Sequence, residues 1–148
     1  TYLKLLLAIL MLASVTTITA QAQSLGKKVI WTKNQVLEPA VLMAVLKNPK
    51  AAKPSIYNIG FINNIPGAKN VGAANKPQGL AQLKKEVSGL PKTSTVVIYC
   101  GCCPFEHCPN VAPAYSLLKS LGYKNTKILN LPTSLKADWI DKGYPTTK

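Results

Sequence analysis

The chain has 148 residues, of which 47% are hydrophobic and 16% charged, a composition that excludes a disordered polymer and fits one compact domain. Its 18 basic residues are all lysine and oppose only five acids, giving a formal net charge of +13. A cationic surface without arginine lacks the planar fork that reads phosphates bidentately, which argues against a nucleic-acid partner. The lysines read as a solvated face instead.

Lys4 precedes the apolar run Leu5 to Ala13, and the stretch then turns small and polar up to Gln23. Ala20-Gln21-Ala22 fits the small-x-small pattern of a secretory leader, which predicts a signal peptide over 1–22 and a mature domain over 23–148. The apolar core is too short to cross about 30 Å of hydrocarbon comfortably, so no stable membrane insertion is expected after cleavage. The expected location is periplasmic or secreted, and in that setting unprotected cysteines oxidise.

Further along, Val29-Ile30-Trp31 is a short apolar patch, and Pro39 suits the first turn of a helix. Val41, Leu42, Val45 and Leu46 recur at helical spacing before Asn48-Pro49 stops the pattern. Ser55 to Gly60 reads as a buried strand ending in a turn, and Ile65 to Val71 as a Pro-Gly turn leading into a second extended piece. Residues 72–79 have loop composition, and Leu80, Leu83 and Val87 mark a helix closed by Gly89 and Pro91. Thr95 to Tyr99 is β-branched and apolar throughout, the pattern of a central parallel strand buried on both faces. Asn110 is a candidate N-cap for a helix striped by Val111, Ala114, Leu117, Leu118 and Leu121, with Gly122 placed to end it. Lys127 to Leu131 reads as a last strand, and Trp139-Ile140 lies in a closing short helix. Strands alternating with helices predict an α/β domain with a mainly parallel sheet.

Several of these segments, taken in order, resemble the landmarks of the rhodanese-like domain family: Ile56 to Gly60, Ile65 to Ala68, Val97 to Cys100, Gly122 to Asn125, and Gly143-Tyr144-Pro145. The resemblance implies a five-stranded parallel sheet flanked by helices. It also implies a cysteine after the central strand, cradled by N–H groups, that carries a persulfide. By position that cysteine is Cys100. Converging N–H dipoles would favour the anion and lower the thiol pKa. The partner implied is a small sulfur donor or a thiol protein, and no cofactor is expected. The loop departs from the family pattern, because nine residues separate Cys100 from Asn110 and Asn110 stands where the family often has arginine. Pro104 and Pro109 lack N–H groups, and Glu106 adds a negative charge. Asn58, Asn64 and Leu131-Pro132 replace the family's usual aspartate, histidine and glycine pair, and the amides read as turn or strand-end residues.

All four cysteines lie between Cys100 and Cys108, together with the single histidine, His107. Three readings follow. Cys100 acts as the nucleophile that accepts sulfur, Cys102, Cys103 or Cys108 resolves it, and Gly101, Cys102, Phe105 and Asn110 border the substrate. Alternatively Cys100, Cys103, His107 and Cys108 hold a soft ion, Cu(I) or Zn(II), using the Cys-x-x-Cys spacing. In the third reading two disulfides brace a silent scaffold, with Cys100 or Cys103 pairing to Cys108. Phe105 is expected to pack the loop onto the sheet, and Trp31 and Trp139 to anchor the core or its rim.

Overall fold

The computed structural model describes residues 29–62 and 64–147. The expected leader over 1–22 lies outside the described residues. Five strands run in chain order: β1 (Val36–Leu37), β2 (Ser55–Asn58), β3 (Ala68–Asn70), β4 (Val96–Tyr99) and β5 (Thr126–Leu129). They form one sheet in the order β1-β5-β4-β2-β3, with every pairing parallel. Three helices connect them: α1 (Pro39–Lys47), α2 (Pro77–Val87) and α3 (Val111–Ser120). A π-helical turn at Lys136–Ile140 closes the domain.

β4 sits in the middle of the sheet, and its four residues are all buried. A strand's side chains alternate between faces, so Val97 and Tyr99 join Leu42, Leu129, Leu135 and Trp139 in a core on one side. Val96 and Ile98 join Leu83, Val87, Ala114 and Leu118 in a core beneath α2 and α3 on the other. Cys100 continues that second series just past the strand's end. Its side is therefore set by the alternation of β4, which aims the thiol at the start of α3. Ligand sites in open parallel sheets form outside the carboxyl ends of the strands, and Cys100 stands at such an end.

Both Pro39 and Pro77 open their helices within the first turn, where a missing N–H costs nothing. α2 therefore begins inside the stretch expected to be loop. β1 also has no counterpart among the expected elements, since two residues are too few to show a period. Ile30 is 87% exposed, whereas Trp31 packs edge-to-face on Tyr115 with ring centroids 5.2 Å apart. Trp139 is fully buried, donating its indole N–H to the Pro145 carbonyl at 2.7 Å. Among the described residues no helix is long and apolar enough to cross a membrane.

Candidate active site

The loop from Cys100 to Asn110 joins β4 to α3 and folds through a 3-10 turn at Phe105–His107. Two backbone bonds pin it to the segment after β5. Leu135 N–H donates to the Gly101 carbonyl at 3.1 Å, and Phe105 N–H donates to the Leu131 carbonyl at 3.1 Å. Phe105 is buried in the core beneath α3, in the packing role expected of it.

Cys100 and Cys108 are buried, Cys103 is half-buried and Cys102 is exposed, and all four are free thiols. The sulfur of Cys100 lies 3.3 Å from that of Cys102, which in turn lies 3.7 Å from that of Cys103. Asn110 Nδ2 donates to the Cys100 sulfur at 3.5 Å, and the thiol of Cys108 and the N–H of Cys102 donate to it as well. The Cys102 thiol is a fourth donor, so three of the four are side chains beside one loop N–H, where the family resemblance implies a ring of loop N–H groups. Pro104 and Pro109 help explain the substitution, since neither can contribute an N–H.

Asn110 does not cap α3 with its side chain. Its Oδ1 instead accepts from Asn75 N–H at 2.9 Å while Nδ2 reaches Cys100, so one buried amide ties the cysteine to the segment before α2. Gly60 forms the opposite wall. A Cβ built there would stand 2.7 Å from the Cys100 sulfur, so only glycine leaves room for the thiol. Asn58 holds this wall in place: its Oδ1 accepts from Gly60 N–H at 2.8 Å, and its Nδ2 donates to the Ile62 carbonyl.

This environment concentrates one negative charge on Cys100. Hydrogen bonding from Cys108, helped by Cys102 N–H and Asn110 against the opposing effect of burial, pulls its pKa from 9.0 to about 5. Cys102 moves the other way, pushed up to about 12 by burial and by the adjacent Cys100 sulfur. Cys108 is also raised, first because its proton is committed to Cys100.

The structure gathers Cys100, Cys102 and Cys103, with their sulfurs all within 4.8 Å of one another. His107 stands apart from them. It lines a separate cleft of about 690 Å³ together with Trp31, Lys33, Glu38 and Glu106, and Cys100 does not border that cleft. The thiols converge at the sulfur cluster and not in this cleft. Of the four residues expected to border substrate, Cys102 is exposed, while Gly101, Phe105 and Asn110 are buried. A Cβ on Gly101 would meet Ile62 and Leu135 at 3.1 Å, so this glycine serves close packing. Sequence reasoning missed Gly60 as a site residue. The signal available was its place at the end of the strand beside the one that delivers Cys100.

No protein-family model matches the chain, and no curated protein does. Solved structures do match. A five-stranded, all-parallel sheet flanked by helices, in the strand order seen here, is the rhodanese-like α/β fold, and the chain has it. One such structure is the single-domain sulfurtransferase RDL2 of Saccharomyces cerevisiae, with a TM-score of 0.52 and 18% identity over 78% of this chain and 95% of that one. Wild-type EanB matches with a TM-score of 0.54 and 19% identity, covering 82% of this chain and 29% of EanB. An EanB variant carrying ergothioneine covalently linked to a persulfide cysteine matches with a TM-score of 0.56, 19% identity and coverage of 78% and 28%. The chain thus spans under a third of EanB, and the likeness is one of fold.

Proposed function

We propose that this chain is a sulfurtransferase-type protein that carries sulfane sulfur as a persulfide on Cys100. The observation that carries the reading is the convergence of Cys108, Cys102 N–H and Asn110 on one buried sulfur at the end of β4. That arrangement favours an anion, and the thiolate is the form that attacks sulfur. The printed descriptions of RDL2 as a sulfurtransferase and of the EanB adduct as a persulfide support it. The donor is a small sulfane compound or a protein persulfide, and the setting we propose is outside the cytosol, periplasmic or secreted.

In the loading step the Cys100 thiolate attacks the donor's sulfane sulfur. A new S–S bond forms on Cys100, and the remainder of the donor leaves with the electron pair. A thiol acceptor that attacks the outer sulfur takes it away and restores the Cys100 thiolate. Cys102 offers an internal exit, since its exposed sulfur already lies 3.3 Å from that of Cys100. Attack by Cys102, after loss of its proton, on the inner sulfur forms a Cys100–Cys102 disulfide and releases hydrosulfide. An external thiol then reduces the disulfide.

The test is a single turnover. Reduced protein is loaded with inorganic polysulfide, desalted and mixed with excess thiol while released sulfide is measured. The wild type is expected to release sulfide in proportion to its loading, C102S to load but release sulfide only on thiol addition, and C100S to do neither. Equal loading and release by C100S, or an inert wild type, overturns the proposal.

A further inference from the structure

The sulfur cluster has a second chemical capacity that is independent of sulfur transfer. Three thiolates bound to one ion at metal–sulfur distances of about 2.3 Å lie roughly 3.8–4.0 Å from one another. Cys100, Cys102 and Cys103 come close to that triangle, with separations of 3.3 and 3.7 Å along two sides and all three sulfurs within 4.8 Å. Shifts of less than an ångström at each side chain would equalise the sides. Cys102 is exposed and Cys103 half-buried, which leaves an open approach to the face where an ion would sit.

The donor set also selects the ion. Among the described residues the cluster contains three sulfurs and no histidine or carboxylate. His107 lines the separate cleft, and the buried Cys108 thiol bonds to both Cys100 and Cys103 but falls outside the group whose sulfurs all lie within 4.8 Å of one another. Tetrahedral Zn(II) would have to draw Cys108 in as a fourth ligand, whereas soft monovalent copper is satisfied by the three gathered sulfurs at low coordination number. We propose that Cys100, Cys102 and Cys103 form a three-coordinate thiolate site for Cu(I). Any ligand still protonated releases its proton to solvent on binding, and no electron is transferred. Because Cys100 is both a ligand and the sulfur that would carry a persulfide, the copper-loaded and sulfur-loaded states exclude each other.

The experiment titrates the full, reduced chain anaerobically with Cu(I) held by a coloured chelator, and X-ray absorption then counts the neighbours of the bound ion. Expected results are one Cu(I) per chain, three sulfur neighbours and no nitrogen, and a loss of affinity of at least about tenfold in C102S and in C103S. H107A is expected to match the wild type, and circular dichroism of each variant checks the fold. Failure of the chain to compete with the chelator, a nitrogen neighbour, or wild-type affinity in folded C102S or C103S overturns the site. The readout is copper and not sulfide, so the outcome is separate from that of the persulfide test.

Discussion

Gly60→Ala is the sharpest structural probe of the cysteine's seat. The new methyl carbon would lie 2.7 Å from the Cys100 sulfur and 3.6 Å from Asn58 Oδ1, against an ordinary contact distance of about 3.5–4.0 Å. The overlap is therefore with the sulfur alone and amounts to roughly 1 Å. Gly60 has no positive φ, so alanine brings no backbone strain and the effect is steric. Overpacking of this kind costs about 1–3 kcal/mol, which for a domain of this size lowers Tm on the order of 5–15 °C. Gly89→Ala is the control, since nothing lies within 4 Å of its added Cβ and its φ is not positive. It should be neutral or slightly stabilising. Thermal and urea unfolding of G60A, C100A and the double variant complete a cycle. Deleting the sulfur removes the obstacle, so G60A should cost little in the C100A background, with a coupling of about 1–3 kcal/mol. An equal cost of G60A in both backgrounds would refute the placement of the Cys100 sulfur against Gly60.

Three further outcomes follow from the same geometry. Ultraviolet thiolate absorbance of reduced, chelator-treated protein should show a step near pH 5 that is missing in C100S. The step should move upward in C108A and less far in N110A, and an unmoved midpoint in C108A would show that Cys108 is not the main stabiliser. Since the native value of Cys100 lies below its unfolded value, its thiolate contributes stability fully above pH 9 and loses that contribution as pH falls toward about 5. Cys102 and Cys108 are raised and act oppositely, so their contribution is present below the ordinary thiol value and fades as pH rises through their native values. Tyr123→Phe should cost about 1–3 kcal/mol in urea unfolding, because the buried hydroxyl donates to the Val87 and Leu90 carbonyls. A loss within error of zero would mean that those carbonyls find other partners.

Much of this architecture is legible residue by residue. The run at 95–99 announces a central strand because β-branched side chains fill both faces of a covered sheet, and the structure buries all of β4. The stripe on α3 is similarly plain, with Val111, Ala114 and Leu118 forming its buried line. β1 escaped because its two residues earn their strand geometry only by pairing with Ile128 and Leu129, far along the chain. Asn110 has the residue type of a cap, yet its amide is claimed by Asn75 and Cys100, partners that no local pattern reveals. The cysteine loop is identifiable in the sequence as the candidate site, but its internal geometry is not. That geometry depends on long-range anchors, Leu135 to Gly101 and Leu131 to Phe105, and on the space left by Gly60. As a result, the Cys102 sulfur comes within 3.3 Å of that of Cys100, and His107 lies on another cleft.

The most direct test of the account is to find which cysteine holds the extra sulfur. Polysulfide-treated protein is alkylated, digested and mapped by mass spectrometry, with each cysteine scored for an additional sulfur atom. The account predicts the primary adduct on Cys100 in the wild type and in C102S, with no stable adduct at any position in C100S. Sulfur held mainly on Cys103 or Cys108, or a C100S variant loaded as fully as the wild type, would contradict it.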